Sequence, residues 1–183
     1  MKNEDDYKKE VVASLSNDFF IEPEVVGTWP LDGKTCRLDF LLSPKPHLVE
    51  KGFDAETFGI EVKSPTSKES VKKLLDCVLQ AYTYTLCSFN QKQPAFVLIY
   101  PEIKTFFHHD FVYKYKENEI NKYTGREIAL IRQLMQRSNV GELTIRDDYF
   151  RIFFSNSYFY DSKKGRSTIK NLGMVKRIGS KKI

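Results

Sequence analysis

The sequence predicts a single α/β domain in which a mixed β-sheet is flanked by helices. Its 183 residues suit one domain with a substantial core. Strand-like runs at residues 35–42, 58–63 and 94–100 are interspersed with helical periodicity at residues 4–19 and 67–89. A continuous apolar run such as the third is typical of a central strand covered on both faces. We therefore expect helices on both sides of the sheet.

Composition excludes several classes of protein. Hydrophobic residues make up 41% and charged residues 29% of the chain, which is ordinary for a soluble globular domain. No apolar run approaches the length of a membrane span, and residues 1–10 are charged, so we expect a cytoplasmic protein with no membrane partner. The three cysteines are odd in number and widely spaced, which indicates neither a disulfide framework nor a zinc site.

The first elements are a helix followed by a hairpin. The predicted helix at residues 4–19 has an apolar stripe at helical spacing. A strand at residues 20–26 follows, and Pro23 within it favours an edge position or a bulge. Asp32 and Gly33 then predict a turn into the next strand, so the two strands are expected to form a hairpin.

The strands at residues 35–42 and 58–63 carry the charged residues that indicate chemistry. Successive side chains of a strand point to opposite faces, so Glu61 and Lys63 share one face of the second strand. On the first strand Asp39 lies opposite an apolar set that can be buried. That set is Cys36, Leu38, Phe40 and Leu42. If the strands are neighbours, the two carboxylates suit a hard divalent cation, and such a site performs phosphodiester chemistry.

A long helix is predicted for residues 67–89, with Ser67 as its N-cap. The side expected to be buried comprises Val71, Leu74, Leu75, Val78, Leu79, Tyr82 and Leu86. At 100° per residue, the opposite side carries Lys73, Asp76, Gln80 and Tyr84.

The second half of the chain carries less chemistry. Residues 103–116 alternate aromatic and basic side chains, which suits either base stacking with phosphate contact or an apolar cover for the sheet. Thr124 and Glu127 form a capping-box pattern that predicts a helix ending near residue 139. Arg126 and Arg137 would lie on its outer side as a stripe for phosphate contact. A β-hairpin at residues 143–154 and an aromatic strand at residues 158–160 complete the prediction.

Basic charge is concentrated at the C-terminus. The formal net charge is +5, and residues 162–183 contain eight basic residues and no acidic one. We therefore divide the chain into one domain at residues 1–161 and a basic, flexible tail at residues 162–183. Such a tail would hold a polyanion by its phosphates, with Lys163, Lys164 and Arg166 contributing. A tail that only solubilises the protein would have the same composition.

The order of the strand, strand and helix motifs resembles the PD-(D/E)XK nuclease superfamily. That family has an Asp on one strand, Glu-x-Lys on the next and, in its RecB-like branch, Gln-x-x-x-Tyr on the following helix. In this sequence the matching residues are Asp39, Glu61, Lys63, Gln80 and Tyr84. The Pro that usually precedes the Asp is Leu38 here. The resemblance covers residues 4–100, and type I restriction subunits carry a similar domain.

The resemblance implies a restriction-endonuclease-like core, extended by a C-terminal helix and hairpin, and a Mg²⁺-dependent nuclease that also accepts Mn²⁺. Asp39, Glu61 and the Val62 carbonyl would hold the ion. The family often adds an acid from its first helix, and Glu10 best matches that position, although a surface Glu would look the same. Lys63 would stabilise charge on the phosphorane, or orient and deprotonate the attacking water.

On the helix, Gln80 would bind a water or a phosphate oxygen, while Tyr84 and Lys73 would contact the substrate backbone. Nucleic acid is the implied partner, with DNA favoured over RNA, and a homodimer or larger complex is left open. Two alternatives also remain open. One is a catalytically silent nuclease-fold protein that binds nucleic acid, and the other is an interaction protein that uses only the scaffold.

Overall fold

The computed structural model describes residues 2–53, 56–65, 70–111, 117–154 and 157–166. Within them, five helices pack against nine strands. The helices are α1 (Glu4–Leu15), α2 (Pro46–Glu50), α3 (Ser70–Leu86), α4 (Ile103–Phe111) and α5 (Glu117–Arg137). The strands are β1 (Phe19–Thr28), β2 (Thr35–Pro44), β3 (Phe58–Val62), β4 (Ser88–Phe89), β5 (Val97–Tyr100), β6 (Val140–Arg146), β7 (Tyr149–Phe154), β8 (Ser157–Asp161) and β9 (Gly165–Arg166).

The strands form one mixed sheet in the order β4-β1-β2-β3-β5-β6-β7-β8-β9. Strands β3, β5 and β6 pair in parallel, and the other neighbouring pairs are antiparallel. The parallel strands lie at the centre, where both faces are covered, which explains the continuous apolar sequence of β5. The predicted α/β class, with a mixed sheet flanked by helices, is confirmed.

The sheet separates two apolar clusters. On the α1 face, Tyr7, Val11 and Leu15 of α1 pack against side chains from β2 through β8. On the α3 face, residues of α3, α4 and α5 pack against the other side of the sheet. The rings of Phe19 in β1 and Phe150 in β7 lie 5.7 Å apart on the α1 face, so the sheet curls around this cluster. Many of the aromatic side chains are therefore core residues.

Helix α1 begins with a capping box. The Asn3 side chain accepts a hydrogen bond from the Asp6 amide at 2.8 Å, and the Asp6 carboxylate accepts one from the Asn3 amide at 3.0 Å. These bonds satisfy amides that the first helical turn leaves without partners. The helix ends at Leu15, so Phe19 belongs to β1 and not to the predicted helix.

The buried side of α3 differs from the predicted one. Leu75, Leu79, Tyr82 and Leu86 are exposed, whereas the buried residues are Leu74, Cys77, Val78, Ala81 and Tyr84. Small side chains at Cys77 and Ala81 let the helix approach the sheet closely, and this packing outweighs the hydrophobicity of the leucines. The prediction that Tyr84 faces outward is therefore wrong.

Two other predicted boundaries also differ. Helix α5 begins at Glu117, so Thr124 lies inside the helix instead of capping it. The helix extends further because residues 117–123 contain neither Pro nor Gly to stop it. At the other end, Gly165 and Arg166 belong to the sheet as β9, which pairs with β8, and the Ser162 amide in the turn between them donates to the Phe150 carbonyl at 3.0 Å. The rest of the predicted tail, residues 167–183, lies outside the described residues. No helix in the described ranges is long and apolar enough to cross a membrane.

Candidate active site

Asp39 and Glu61 come together where the pairing of β2 with β3 ends. The last backbone pair is Phe40 with Ile60, and the next step of that register would set Asp39 opposite Glu61. At this step the Asp39 side chain replaces a backbone acceptor: its Oδ2 accepts a 2.8 Å hydrogen bond from the Val62 amide. Both acidic residues are buried, Asp39 at 9% and Glu61 at 2% exposure. The sheet itself therefore holds two carboxylates next to each other.

The alternation of β2 changes phase at Asp39. The sequence predicts that Leu38, Phe40 and Leu42 share one face, but Leu38 packs on the α3 face while the other two pack on the α1 face. The change occurs opposite Glu24 of β1, whose φ of 52° lies in the left-handed region. The pairing of β1 with β2 keeps one register on both sides of Glu24, so the irregularity next to Pro23 is a change of backbone conformation and not a bulge.

Glu61 is the least completely hydrogen-bonded member of the charged cluster that it forms with Asp39 and Lys63. Its Oε1 lies 3.1 Å from Lys63 Nζ, whereas its Oε2 is buried with no hydrogen-bond partner among the described residues. Burial, together with the negative charge of Asp39, raises the pKa of Glu61 to about 7, although Lys63 partly opposes the shift. An unpartnered buried acceptor is costly, so a cation or a proton at this oxygen would stabilise the site.

Lys8 and Glu24 join the cluster, and the motif search missed both. Lys8 Nζ of α1 lies 2.6 Å from Asp39 Oδ1 and 2.7 Å from Glu24 Oε1, and Arg37 Nε lies 3.0 Å from Glu24 Oε2. Burial alone would lower the pKa of Lys8, but the hydrogen bonds to Asp39 and Glu24 outweigh it and raise the pKa. Two signals were available: Lys8 follows Tyr7 of the apolar stripe on α1, and Glu24 follows Pro23, for which the sequence predicts an edge position or a bulge.

The predicted metal ligand Glu10 lies elsewhere on α1. It pairs with Lys2 at 2.8 Å, and burial together with a hydrogen bond to Glu10 raises the pKa of Tyr100. No described contact joins Glu10 to Asp39 or Glu61. Glu4, one turn before Lys8, is the acid of this helix whose charge helps to raise the pKa of Glu61. Glu10 as a metal ligand therefore stays a prediction, and Glu4 is a second acidic candidate on the same helix.

Gln80 and Tyr84 approach the cluster from α3. Gln80 Nε2 donates a hydrogen bond to the Tyr84 hydroxyl. Burial and the negative charge of Glu61 raise the pKa of Tyr84. The Tyr84 ring packs edge-on against Phe89 at a centroid distance of 6.0 Å, so this residue is part of the core. Lys73 is exposed on the same helix. The charge of Glu61 thus acts on Tyr84, the hydrogen-bond partner of Gln80, and a role for Gln80 at the site stays a prediction.

The other residues predicted to bind nucleic acid lie away from the cluster. Arg126 and Arg137 are exposed on α5. Lys163 forms an ion pair with Asp148 and lies over the Tyr149 ring. Lys163 and Lys164 are both exposed and follow β8 in the chain. In the sheet, β8 is four positions from β3. The side chain of Arg166 lies outside the described residues.

Similarity to known proteins does not supply a function. Comparisons of the chain with protein-family models, with curated proteins and with solved structures find no match.

The donor set fits a hard divalent cation in its chemistry. Asp39 and Glu61 are carboxylates, the ligands that Mg²⁺ and Mn²⁺ prefer, and Glu61 Oε2 is free to accept. In the described ranges, no group of three or more His, Cys, Asp or Glu side chains is arranged to hold a metal. Two carboxylates are enough where substrate phosphate and water complete the coordination, as is usual for Mg²⁺. One of these carboxylate oxygens, Asp39 Oδ1, forms an ion pair with Lys8.

Proposed function

We propose that the protein is a metal-dependent nuclease of the PD-(D/E)XK type, with a restriction-endonuclease-like core, that hydrolyses phosphodiester bonds of nucleic acid. DNA is the favoured substrate. The observation that carries the proposal is the buried, unpartnered Glu61 Oε2 next to a second carboxylate and a lysine. A divalent cation would satisfy this oxygen and offset the repulsion between Asp39 and Glu61.

Asp39 and Glu61 would hold Mg²⁺ or Mn²⁺, with the Val62 carbonyl as a further ligand. When bound, such an ion binds the scissile phosphate and acidifies a water molecule. The chain's own contribution is to fix the ligands. The Val62 amide orients the Asp39 carboxylate. Glu61 is buried, and its attraction to a cation is stronger in the buried site than it would be in water.

Lys63 would act on the substrate. Burial would lower the pKa of Lys63, but the neighbouring Glu61 carboxylate outweighs burial and raises it. The side chain is therefore an ammonium ion at neutral pH, which favours electrostatic stabilisation of the phosphorane over proton abstraction. Gln80, which donates a hydrogen bond to Tyr84, would hydrogen-bond a water or a phosphate oxygen, and Tyr84 would orient Gln80.

The test is a cleavage assay on single- and double-stranded DNA and RNA, both linear and circular, with Mg²⁺, with Mn²⁺ and with chelator. We expect metal-dependent cleavage that Asp39→Asn, Glu61→Gln and Lys63→Met abolish. Asp76→Asn is the matched control, because it removes one exposed carboxylate of α3 outside the cluster. Cleavage that survives Glu61→Gln, or that needs no divalent ion, would refute the proposal.

One observation favours a second candidate, a catalytically silent nuclease-fold protein that binds nucleic acid. Lys8 already neutralises Asp39, as would be expected of a site that no longer takes up a metal. This candidate predicts that duplex DNA binds equally well with and without Mn²⁺, and that no substrate is cleaved. Metal uptake by the wild-type protein would exclude it.

A further inference from the structure

Lys8 bridges two carboxylates at the edge of the candidate metal site. Its Nζ lies 2.6 Å from Asp39 Oδ1 and 2.7 Å from Glu24 Oε1, so the ammonium is shared almost equally between them. The Lys8 side chain is 22% exposed and that of Asp39 is 12% exposed, so water screens this interaction only in part. A charge in this position affects any cation that approaches Asp39.

The backbone conformation of Glu24 and a contact with Arg37 hold the Glu24 side chain in place. Its φ of 52° is uncommon for a residue other than glycine, and Arg37 Nε holds its second oxygen at 3.0 Å. Glu24 therefore presents Oε1 to Lys8 from a fixed backbone. An open groove of about 440 Å³ adjoins the pair, and its lining includes Lys8, Lys9 and Glu24. The ammonium has room to leave Asp39 without losing Glu24.

We propose that Lys8 is the resident counter-cation of the metal site and that Glu24 is its second acceptor. A divalent cation at Asp39 displaces the ammonium, which stays bonded to Glu24. This inference rests on the proposed function, because it requires that Asp39 binds metal. Lys8 and Glu24 are then positioning residues: neither touches the metal, and together they set how tightly Asp39 and Glu61 bind it.

The physical argument is competition for one carboxylate. Oxygen ligands lie roughly 2.0 to 2.6 Å from a divalent ion, so the ion and the ammonium cannot both occupy Asp39 Oδ1 without strong repulsion. Removing Lys8 removes the competitor. Removing the charge of Glu24 leaves Lys8 with Asp39 as its one carboxylate partner among the described residues, which makes displacement harder. In a variant that lacks Lys8, Glu24 has no ammonium to bind, so replacing Glu24 should change the affinity for the divalent ion little.

The test is calorimetric titration of the chelator-treated protein with Mn²⁺, on the wild type, Lys8→Met, Glu24→Gln and the double variant. We expect Lys8→Met to tighten Mn²⁺ binding by about tenfold and Glu24→Gln to weaken it by several-fold. The double variant should match Lys8→Met within about twofold, which a simple effect of net charge would not produce. Lys9→Met is the matched control, because it removes the same charge from the next, exposed residue of α1 and should leave the affinity within about twofold.

The outcomes separate the two proposals. Wild-type Mn²⁺ binding that Lys8→Met leaves unchanged or weakens would overturn the counter-cation and leave the nuclease standing. The same holds if Glu24→Gln weakens binding equally with and without Lys8. Folded protein that binds no Mn²⁺ even in Lys8→Met would overturn both. Lys8→Gln provides a second variant should Lys8→Met fail to fold, with circular dichroism as the check of folding.

Discussion

The Val62 amide and the Asp39 carboxylate are joined by a buried 2.8 Å hydrogen bond at the point where the β2–β3 ladder ends. A backbone donor of one strand thus fixes the carboxylate of its neighbour. The same side chain also accepts from Lys8 at 2.6 Å. Asp39 therefore has a structural role in the metal-free protein in addition to its proposed role as a ligand, and the two roles can be separated by mutation.

Asp39→Ala should destabilise the metal-free protein more than Asp39→Asn does. Alanine leaves the buried Val62 amide without an acceptor, whereas asparagine retains an oxygen for it, and an unsatisfied buried donor costs about 1–3 kcal/mol. Urea unfolding in the presence of chelator measures the difference. Both variants should lose Mn²⁺ binding. Equal stability of the two would mean that the Val62 bond contributes nothing.

Glu61 should make the stability of the metal-free protein fall as pH rises towards neutrality. Its pKa is about 7 in the folded protein against an ordinary value of 4.5, so between these values the folded state binds more protons than the unfolded state. The contribution of protonated Glu61 is complete below about pH 4.5 and lost above about pH 7, and it amounts to about 3 kcal/mol at most.

The measurement is the difference in unfolding free energy between wild type and Glu61→Gln from pH 5 to pH 8. The wild type should lose stability across this range relative to the variant, because glutamine does not titrate. Saturating Mn²⁺ should abolish the difference in slope, since a bound cation keeps the carboxylate ionised. Parallel pH profiles of the two metal-free proteins would contradict the raised pKa.

Lys63→Met should abolish cleavage and leave Mn²⁺ affinity unchanged or higher. The ammonium, 3.1 Å from Glu61 Oε1, acts on substrate charge and is no metal ligand. Asp39→Asn and Glu61→Gln should lose both cleavage and metal binding. Calorimetry and the cleavage assay on the same preparations separate these roles. A Lys63→Met protein with wild-type turnover would refute the proposed role of the lysine.

The sequence predicts well those elements whose burial follows from their pattern of apolar and polar residues. Strand β5 is apolar throughout, and the β6–β7 hairpin turns at Asp147 and Asp148, so both follow from composition and turn residues. The strand-like runs that carry Asp39 and Glu61 also follow from local sequence, whereas the contact between the two residues depends on the pairing of β2 with β3.

The features that escaped prediction depend on tertiary packing. The exposed leucines of α3 look like core residues until Cys77 and Ala81 place the helix against the sheet. Lys8 looks like any surface lysine of an acidic helix, and its role depends on where α1 crosses β2. Glu24 owes its position to a left-handed backbone conformation, which its residue type does not predict. Long side chains from separate elements meet only in the folded protein.

Arg132→Met should destabilise the protein by about 3 kcal/mol or more. Its guanidinium pairs with Glu142, which is 2% exposed and also accepts from the Ile103 amide at 3.1 Å, so the variant leaves a buried charge without its partner. Adding Glu142→Gln should restore much of the loss, because the uncompensated charge is removed. Denaturant unfolding of the single and double variants checks this. An additive loss in the double variant would contradict the argument.

Deleting residues 167–183 should weaken nucleic-acid binding and leave the metal site intact. The deletion removes five of the basic residues and begins after β9, so the sheet keeps all of its described strands. If those charges contact duplex phosphates, the slope of log affinity against log salt should become shallower by about 0.9 for each lost contact. Because such contacts stabilise ground and transition states alike, KM should rise while kcat changes little.

A full-length variant with the five basic residues replaced by glutamine should reproduce the deletion, which separates charge from chain length. A salt slope unchanged in both variants would show that the charges only solubilise the protein, and Arg126 and Arg137 would then be the next residues to replace.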